Sequence, residues 1–241
     1  MTPNMSGVGV IYSPDTTSVM TFSICIREQT DNGPVFATAV ATDAPAVGAL
    51  APCVGPNGAV STQAFVNVRL GRRGIDLLDD VPLKQALSGV LARDDHSDLR
   101  QLHGVSADDV FAHTGENTDG WSGHETYPDD GVSVAGNMLV GPNTLSVVAE
   151  SFLESEPTDE PDAGVVPRLL DAIAAGVEAG GDKRGHSSAA VLVHAPAVTP
   201  YHDLRVDHCE NNPVNELRRV YEAAYEATDG FSEDSKERVF R

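Results

Sequence analysis

The first third of the chain alternates apolar and polar positions with the two-residue period of β-strands. In TFSICIRE, the even positions over 22–26 are apolar, and Thr21, Ser23 and Cys25 occupy the other face. A TDNG turn then leads into PVFATAVATD, so residues 21–43 predict an antiparallel hairpin. AVGALAPCV and GAVSTQAFVNV predict a second strand pair around a GPNG turn.

The middle of the chain predicts helices between strands. Apolar positions over 75–91 fit two short helices separated at Pro82. RQLHGVSADDVFAHTG predicts a hairpin and GVSVAGNMLVG a further strand, with a loop at 115–123 between them. Two helices are then expected over 142–154 and 165–179. The second is expected to end at a Gly-Gly pair.

The last part returns to strands and ends in a helix. SSAAVLVHAP and YHDLRVDHC are predicted strands, after which Asn212 caps and Pro213 opens a helix. We divide the chain into an N-terminal extension (1–19), one domain (20–230) and a charged, flexible tail (231–241). Strands and helices occur in blocks rather than alternating, which predicts an α+β fold with mainly antiparallel sheets. Two sheets stacked face to face, with helices outside, fit this order.

The composition excludes several classes of partner. Thirty-six acidic and 16 basic residues give a formal net charge of −20, which would repel nucleic acid and anionic membrane surfaces. The carboxylates are dispersed and only three residues are lysine, which favours a protein adapted to high salt over an ordinary acidic one. No apolar run is long enough to span a membrane, and residues 1–19 lack the features of a signal peptide. We therefore expect a cytoplasmic protein.

The sequence predicts neither a metal nor a cofactor. The three cysteines are widely spaced. His202, Asp207, His208 and Cys209 fall on two faces of one strand, which disfavours a shared metal. The glycine-rich AGGDKRG turn lacks the spacing of a nucleotide-binding P-loop.

A series of motifs nevertheless indicates a family. MTFSI, GAVSTQA, GRRGIDLL, HTG, WSGH, GNMLVGP and AGGDKRGHSSAAVLV occur in this order. Together they resemble the domain-of-unknown-function family 1028, which is placed in the N-terminal nucleophile (Ntn) hydrolase superfamily. The resemblance covers about residues 20–222 and implies a four-layer αββα sandwich of two mainly antiparallel sheets. It implies no particular substrate.

The resemblance also implies a nucleophile at Thr21. Ntn hydrolases attack an amide carbonyl with an N-terminal Thr, Ser or Cys, and the α-amine of that residue acts as base. An α-amine has a pKa of about 7.7–8.0 and can accept a proton near neutrality. Thr21 becomes N-terminal if Met20 is the physiological start and is removed, or if residues 1–19 belong to a propeptide cleaved by Thr21 itself. The alternative is an ordinary strand threonine.

Two further residues are candidates for the catalytic group. Ser23 shares the nucleophile's face and can bond its amine, or can simply be a small residue between sheets. Asp43 ends the second strand, where an acid orients the site in proteasome-like enzymes. Those enzymes also use a lysine that has no counterpart here, so the cationic role would fall to Arg73, His124 or Arg184.

The predicted substrate-binding residues lie in loops and at strand ends. Gln63 and Asn67 are neutral donors suited to an oxyanion or a substrate amide, with sheet-edge hydrogen bonding as the alternative. Arg73, in a GRRG motif placed at a helix N-terminus, would bind a substrate carboxylate. Trp121 and His124 would form one wall of a pocket, although a structural tryptophan is the alternative.

Three more residues complete this set. Asn137 lies in GNMLVGP, and Asp182 and Arg184 lie in AGGDKRG, whose backbone N–H groups can cradle an anion. A helix C-cap turn is the structural alternative for AGGDKRG.

These features lead to two hypotheses of different classes. The first is an amidohydrolase that cleaves a small polar amide through an acyl-enzyme on Thr21. The second is a non-catalytic binding or assembly module that keeps the fold, and lyase or deaminase-like chemistry in the same cleft is a third. The sequence leaves the oligomeric state open, with a homo-oligomer as one option.

The net charge generates a prediction about salt. Because the Debye length falls to about 3 Å at 1 M salt, molar KCl screens the repulsion among the 36 acidic residues. We expect the melting temperature to rise from dilute buffer to molar KCl, as measured by circular dichroism. A melting temperature that stays flat or falls with salt would refute adaptation to high salt.

Overall fold

The computed structural model describes residues 20–156, 161–180, 186–196 and 199–240. The strands are β1 (Thr21–Thr30), β2 (Gly33–Thr42), β3 (Pro52–Gly55), β4 (Gly58–Ala64), β5 (Arg100–Ser106), β6 (Val110–Thr114), β7 (Trp121–Tyr127), β8 (Val132–Leu139), β9 (Ser188–His194) and β10 (Asp203–Val206). The α-helices are α1 (Val68–Leu77), α2 (Leu83–Leu91), α3 (Asn143–Leu153), α4 (Pro161–Gly180), α5 (Pro213–Asp229) and α6 (Glu233–Phe240).

The strands form two antiparallel sheets. The first sheet has six strands in the order β10-β9-β2-β1-β8-β7, and the second has four in the order β3-β4-β5-β6. β1 is therefore a central strand, paired with β2 on one side and β8 on the other, and Thr21 is its first residue. The predicted hairpin over 21–43 is confirmed, with Thr30 and Gly33 as its closing pair.

Apolar faces fix the order of the layers. On the outer face of the first sheet, Phe22 and Ile24 are buried in one cluster with Leu145 of α3 and Leu169 of α4. The outer face of the second sheet packs against α1 and α2 through a separate cluster that includes Leu102. A smaller cluster joins the inner faces of the two sheets. Helices, two sheets and helices thus form four layers, and the α+β sandwich predicted from the sequence is confirmed.

Several boundaries differ from the prediction. The loop predicted at 115–123 ends three residues early, because edge strand β7 begins at Trp121. The side chains of β7 are half-buried or exposed and therefore lack a clear apolar alternation. The AVGAL segment is not a strand but contains a 3-10 turn at Val47–Ala49. Helix α6 occupies most of the segment predicted as a flexible tail. Asn212 does cap α5, since its side chain accepts hydrogen bonds from two backbone N–H groups, and the predicted cap is confirmed.

No helix in the described part of the chain is both long and apolar enough to cross a membrane.

The contact between α4 and β1 generates a prediction about Gly176. The Cβ of an alanine there would lie 2.6 Å from the Phe22 ring and nearer still to Val148. Glycine to alanine normally stabilises a helix by about 1 kcal/mol, but overpacking a core costs roughly 1–3 kcal/mol. We expect Gly176→Ala to lower the free energy of unfolding measured in urea.

Gly89 of α2 supplies the matched control. Nothing lies within 4 Å of the Cβ that an alanine would add there. Gly89→Ala should therefore raise the free energy of unfolding by up to about 1 kcal/mol. If both substitutions stabilised the protein, the close packing of α4 on β1 would be refuted.

Candidate active site

Thr21 lies at the end of a central strand, between two polar neighbours. The strand register places Thr42 of β2 opposite it on one side and Asn137 of β8 on the other. The Thr21 and Thr42 hydroxyl oxygens are 2.8 Å apart. Thr21 is 8% exposed and Asn137 is 6% exposed, so the group lies just below the surface. The structure thus brings together two of the residues predicted for the site, Thr21 and Asn137.

The carbonyl of Met20, in the peptide bond before Thr21, is held by two donors. The Thr42 hydroxyl donates to this carbonyl oxygen at 2.9 Å, and the backbone N–H of Asp43 donates at 3.3 Å. Because the Thr42 hydroxyl has a single hydrogen, it must accept from the Thr21 hydroxyl rather than donate to it. The hydroxyl hydrogen of Thr21 therefore points at Thr42. Met20 itself is buried in the core.

Ser23, two residues along β1, joins the first sheet to the second. Its hydroxyl donates to Oε1 of Gln63 at 2.7 Å and lies 2.8 Å from Nε2 of His103. The other ring nitrogen of His103, Nδ1, lies 2.5 Å from the Ser133 hydroxyl. Since the Ser23 hydrogen is directed to Gln63, Nε2 of His103 carries a hydrogen and Nδ1 accepts from Ser133.

Two glutamines continue this chain of hydrogen bonds. Gln63 donates to Oε1 of Gln101 at 3.0 Å. Gln101 donates in turn to the carbonyl of Gly136 at 2.8 Å and lies 3.1 Å from the carbonyl of Gly123. From Ser133 to Gln101, each residue therefore donates to the next, and the resulting chain of buried hydrogen bonds connects the two sheets. We call Ser133, His103, Ser23, Gln63 and Gln101 the inter-sheet network.

Sequence reasoning missed His103 and Gln101. Both lie on one face of β5, in RQLHGVS, and both are fully buried. The only signal was the alternation of polar residues in a strand, and an exposed face produces the same pattern.

His103 is neutral in the folded protein. Burial lowers its pKa to about 3, and the nearby His124 adds a smaller lowering, which the backbone of Ser133 only partly offsets. A ring with this pKa remains uncharged throughout the physiological range. The inter-sheet network therefore contains no ionised group.

Backbone strain accompanies the candidate residues. Among the described residues, the non-glycine residues with positive φ are Ala46, Ala64 and Met138, at 61°, 66° and 59°. Ala64 directly follows Gln63, and Met138 directly follows Asn137. The left-handed conformation costs such residues about 1–2 kcal/mol each, and strain of this kind concentrates at functional sites. The two candidate amides thus precede strained positions at strand ends.

Asn67 and Arg73 belong to a different place. Asn67 is the N-cap of α1, and its amide also donates to Asp94 at 2.8 Å. Since α1 begins at Val68, Arg73 lies in the second turn and not at the helix N-terminus, so the dipole argument for it was wrong. Both residues line one pocket.

That pocket is on the outer face of the second sheet. It includes Arg100, which by strand alternation faces away from Gln101 and hence away from the inter-sheet network.

Trp121 and His124 do not form a common wall. Trp121 packs on the outer cluster of the first sheet, with its ring over Gly123. His124 faces the second sheet, where Nδ1 lies 2.8 Å from the Thr114 hydroxyl. Partial burial and, to a smaller extent, His113 lower the pKa of His124.

The remaining predicted residues are placed as follows. Asp43 directly follows β2, and its backbone carbonyl accepts a hydrogen bond from the Ser187 hydroxyl at 2.6 Å. Asp182, Arg184 and the extension over 1–19 lie outside the described residues. Within the described ranges, no three His, Cys, Asp or Glu residues are grouped so as to hold a metal ion.

A comparison with known families identifies the family of this chain. A family model described as "Family of unknown function (DUF1028)" matches residues 21–217. The chain belongs to DUF1028. The family match begins at Thr21, the first residue of β1.

A solved structure supports the same assignment. The chain is similar to protein SPO2555 from Silicibacter pomeroyi, a DUF1028 structure, with 28% identity and a TM-score of 0.75. The match covers 85% of this chain and 86% of that chain. No curated protein matches the chain.

The neutral state of His103 generates a prediction about pH. Its folded pKa of about 3 lies below the unfolded value of about 6.5, so the unfolded state binds the extra proton as the pH falls. The contribution is complete above pH 6.5 and is lost between about pH 6.5 and 3. Between pH 7 and pH 5, the free energy of unfolding should fall by roughly 2 kcal/mol more in the wild type than in His103→Gln.

Urea unfolding at the two pH values measures this difference. The carboxylates contribute equally to the pH dependence of both proteins, so their contribution cancels in the comparison. Exposed His208 provides the control. His208→Gln should keep the wild-type dependence on pH. If the free energy of unfolding fell as much between pH 7 and pH 5 in His103→Gln as in the wild type, His103 would not be the buried neutral group described here.

Proposed function

We propose that this DUF1028 protein is an Ntn-type amidohydrolase that cleaves a small polar amide, with Thr21 as nucleophile when it is the first residue. The observation that carries the proposal is the place of Thr21. It opens a central strand, with its hydroxyl 2.8 Å from that of Thr42 and Asn137 beside it. The superfamily's nucleophile occupies the start of a strand in a sandwich of the same layers.

The proposed reaction has two steps. In the first, the Thr21 oxygen attacks the amide carbonyl, and its proton passes to the free α-amine of the same residue. The amine then gives this proton to the leaving nitrogen as the C–N bond breaks, which leaves an ester on Thr21. In the second step, water attacks the ester and the acid is released, with the α-amine again moving the proton.

Neutral hydrogen-bond donors and one carboxylate flank the proposed centre. The amide of Asn137 and the backbone N–H of Asp43 are the nearest candidates to stabilise an oxyanion, because they belong to the residues that flank the start of β1. Ser23, two residues farther along β1, bonds Gln63 of the second sheet and so holds β1 against that sheet. The Asp43 carboxylate, next to Thr42, is suited to orient the protonated amine.

The burial of Met20 favours the rival function, a non-catalytic binding or assembly module. Met20 is 2% exposed, and its carbonyl accepts two hydrogen bonds. While Met20 remains attached, Thr21 has no free amine to act as base. The state of this one peptide bond therefore separates the two functions.

The proposal predicts the effect of changing Thr21. Thr21→Ala should abolish release of ammonia or amine from a panel of small amides, and Thr21→Ser should retain part of the rate. The alanine variant loses one hydrogen bond to Thr42, which costs about 1 kcal/mol, so it should remain folded. Intact mass must show that Thr21 is N-terminal in the active sample.

Thr126, exposed on edge strand β7, is the matched control. Thr126→Ala should keep full activity. A chain that begins at Met20, with the methionine removed, should be active where the unprocessed full-length chain is not. Equal turnover by the unprocessed chain would overturn the free-amine mechanism.

A further inference from the structure

The pocket on the outer face of the second sheet, remote from the inter-sheet network, is lined by several arginines. It lies between α1, α2 and the segment entering β5, with a volume of about 520 Å³. Its lining includes four arginines, Arg69, Arg73, Arg93 and Arg100, against two carboxylates, those of Asp94 and Asp95. These arginines are four of only 16 basic residues in a chain of net charge −20. We call the cavity lined by these four residues the arginine pocket.

One ion pair forms the closed side of the arginine pocket. Arg100 and Asp94 are both nearly buried and meet through two contacts of 3.2 Å. Asp94 also accepts from Asn67 at 2.8 Å and from the backbone N–H of His96 at 2.9 Å. Burial alone would raise the pKa of Asp94, but these hydrogen bonds and Arg100 hold it below its usual range. Asp94 is therefore ionised and already occupied by its own partners.

The other three arginines have no such partner. Across the described ranges, no carboxylate lies within ion-pair distance of Arg69, Arg73 or Arg93. Arg69 and Arg73 are four residues apart on α1, where like charges destabilise a helix by a few tenths of a kcal/mol. These three arginines are exposed at one pocket without a carboxylate partner among the described residues, in a chain with 36 acidic residues, and this makes the pocket a candidate site for an external anion.

We propose that the arginine pocket binds a small molecule with two anionic oxygen groups, either a dicarboxylate or a phosphate compound. Guanidinium groups bind carboxylate and phosphate through paired N–H donors, and several around one concave site favour a dianion over a monoanion. The lining also includes the buried apolar residues Leu70 and Val90, so part of the pocket wall can contact a short hydrocarbon segment. This site does not depend on hydrolysis at Thr21.

Calorimetric titration of the full chain at low ionic strength tests the proposal. Succinate and inorganic pyrophosphate, each with two anionic oxygen groups, are the two probes, and succinamide is the neutral counterpart of succinate. We expect at least one dianion to bind in the millimolar range or tighter, and succinamide not to bind. The stronger of the two dianions distinguishes a dicarboxylate site from a phosphate site. Arg69→Gln/Arg73→Gln should weaken that binding by about tenfold or more.

A double variant elsewhere controls for net charge. Arg219→Gln/Arg238→Gln removes two exposed arginines from α5 and α6 and should leave binding unchanged. Thermal melts check that each variant is folded. If the α1 variant fails to fold, Arg93→Gln must weaken binding instead, because it alters the pocket from outside α1. Absence of dianion binding, equal binding of succinamide, or equal loss in both double variants would overturn the proposal.

Discussion

The two sheets are joined by hydrogen bonds, and His103 of the second sheet makes the central pair. One of its ring nitrogens bonds Ser23 and the other bonds Ser133, both in the first sheet. A buried polar group left without a partner costs about 1–3 kcal/mol. β1, β5 and β8 must therefore keep the spacing at which these three residues meet, and a one-residue slip of any strand would turn its polar residue to the opposite face. The constraint reaches Thr21, because it lies two residues from Ser23 on the same face of β1.

The sequence predicted the layers better than it predicted their interior. Phe22 and Ile24 alternate with polar residues, and this period is sufficient to define a strand with one apolar face. The same period does not tell whether the polar face meets water or a second polar sheet. For this reason the sequence did not predict that Gln101 and His103 are buried between the sheets. Helix α1 begins at Val68, before the GRRG motif, because the side chain of Asn67 caps it. Asparagine is common in turns as well as at N-caps, so its presence at 67 does not by itself predict where the helix begins.

The predicted site residues separated for a related reason. Gln63 and Asn67 are four residues apart in the sequence, but β4 ends between them at the strained Ala64. Gln63 points into the inter-sheet network, whereas Asn67 caps a helix outside the second sheet. A positive φ at an alanine cannot be predicted from residue type, since alanine does not favour that conformation. The separation of the two groups is thus a property of the backbone.

The chemistry open to the inter-sheet network follows from its neutrality. Ser23 and His103 have the contact distance of a nucleophile and its general base, and taken alone they would suggest a serine–histidine pair. Three observations argue against that role. Both residues are fully buried, and the pKa of His103, about 3, makes it too weak a base to hold a proton near neutrality. In the hydrogen-bond direction found here, Nε2 of His103 also donates to Ser23, so it has no lone pair to receive the serine proton. A hydrolytic reaction at this end of the sandwich must take its base from elsewhere, and in the proposed mechanism that base is a free α-amine at Thr21, a group whose ordinary pKa is about 7.7–8.0. The inter-sheet network then supports the strand that carries the proposed nucleophile.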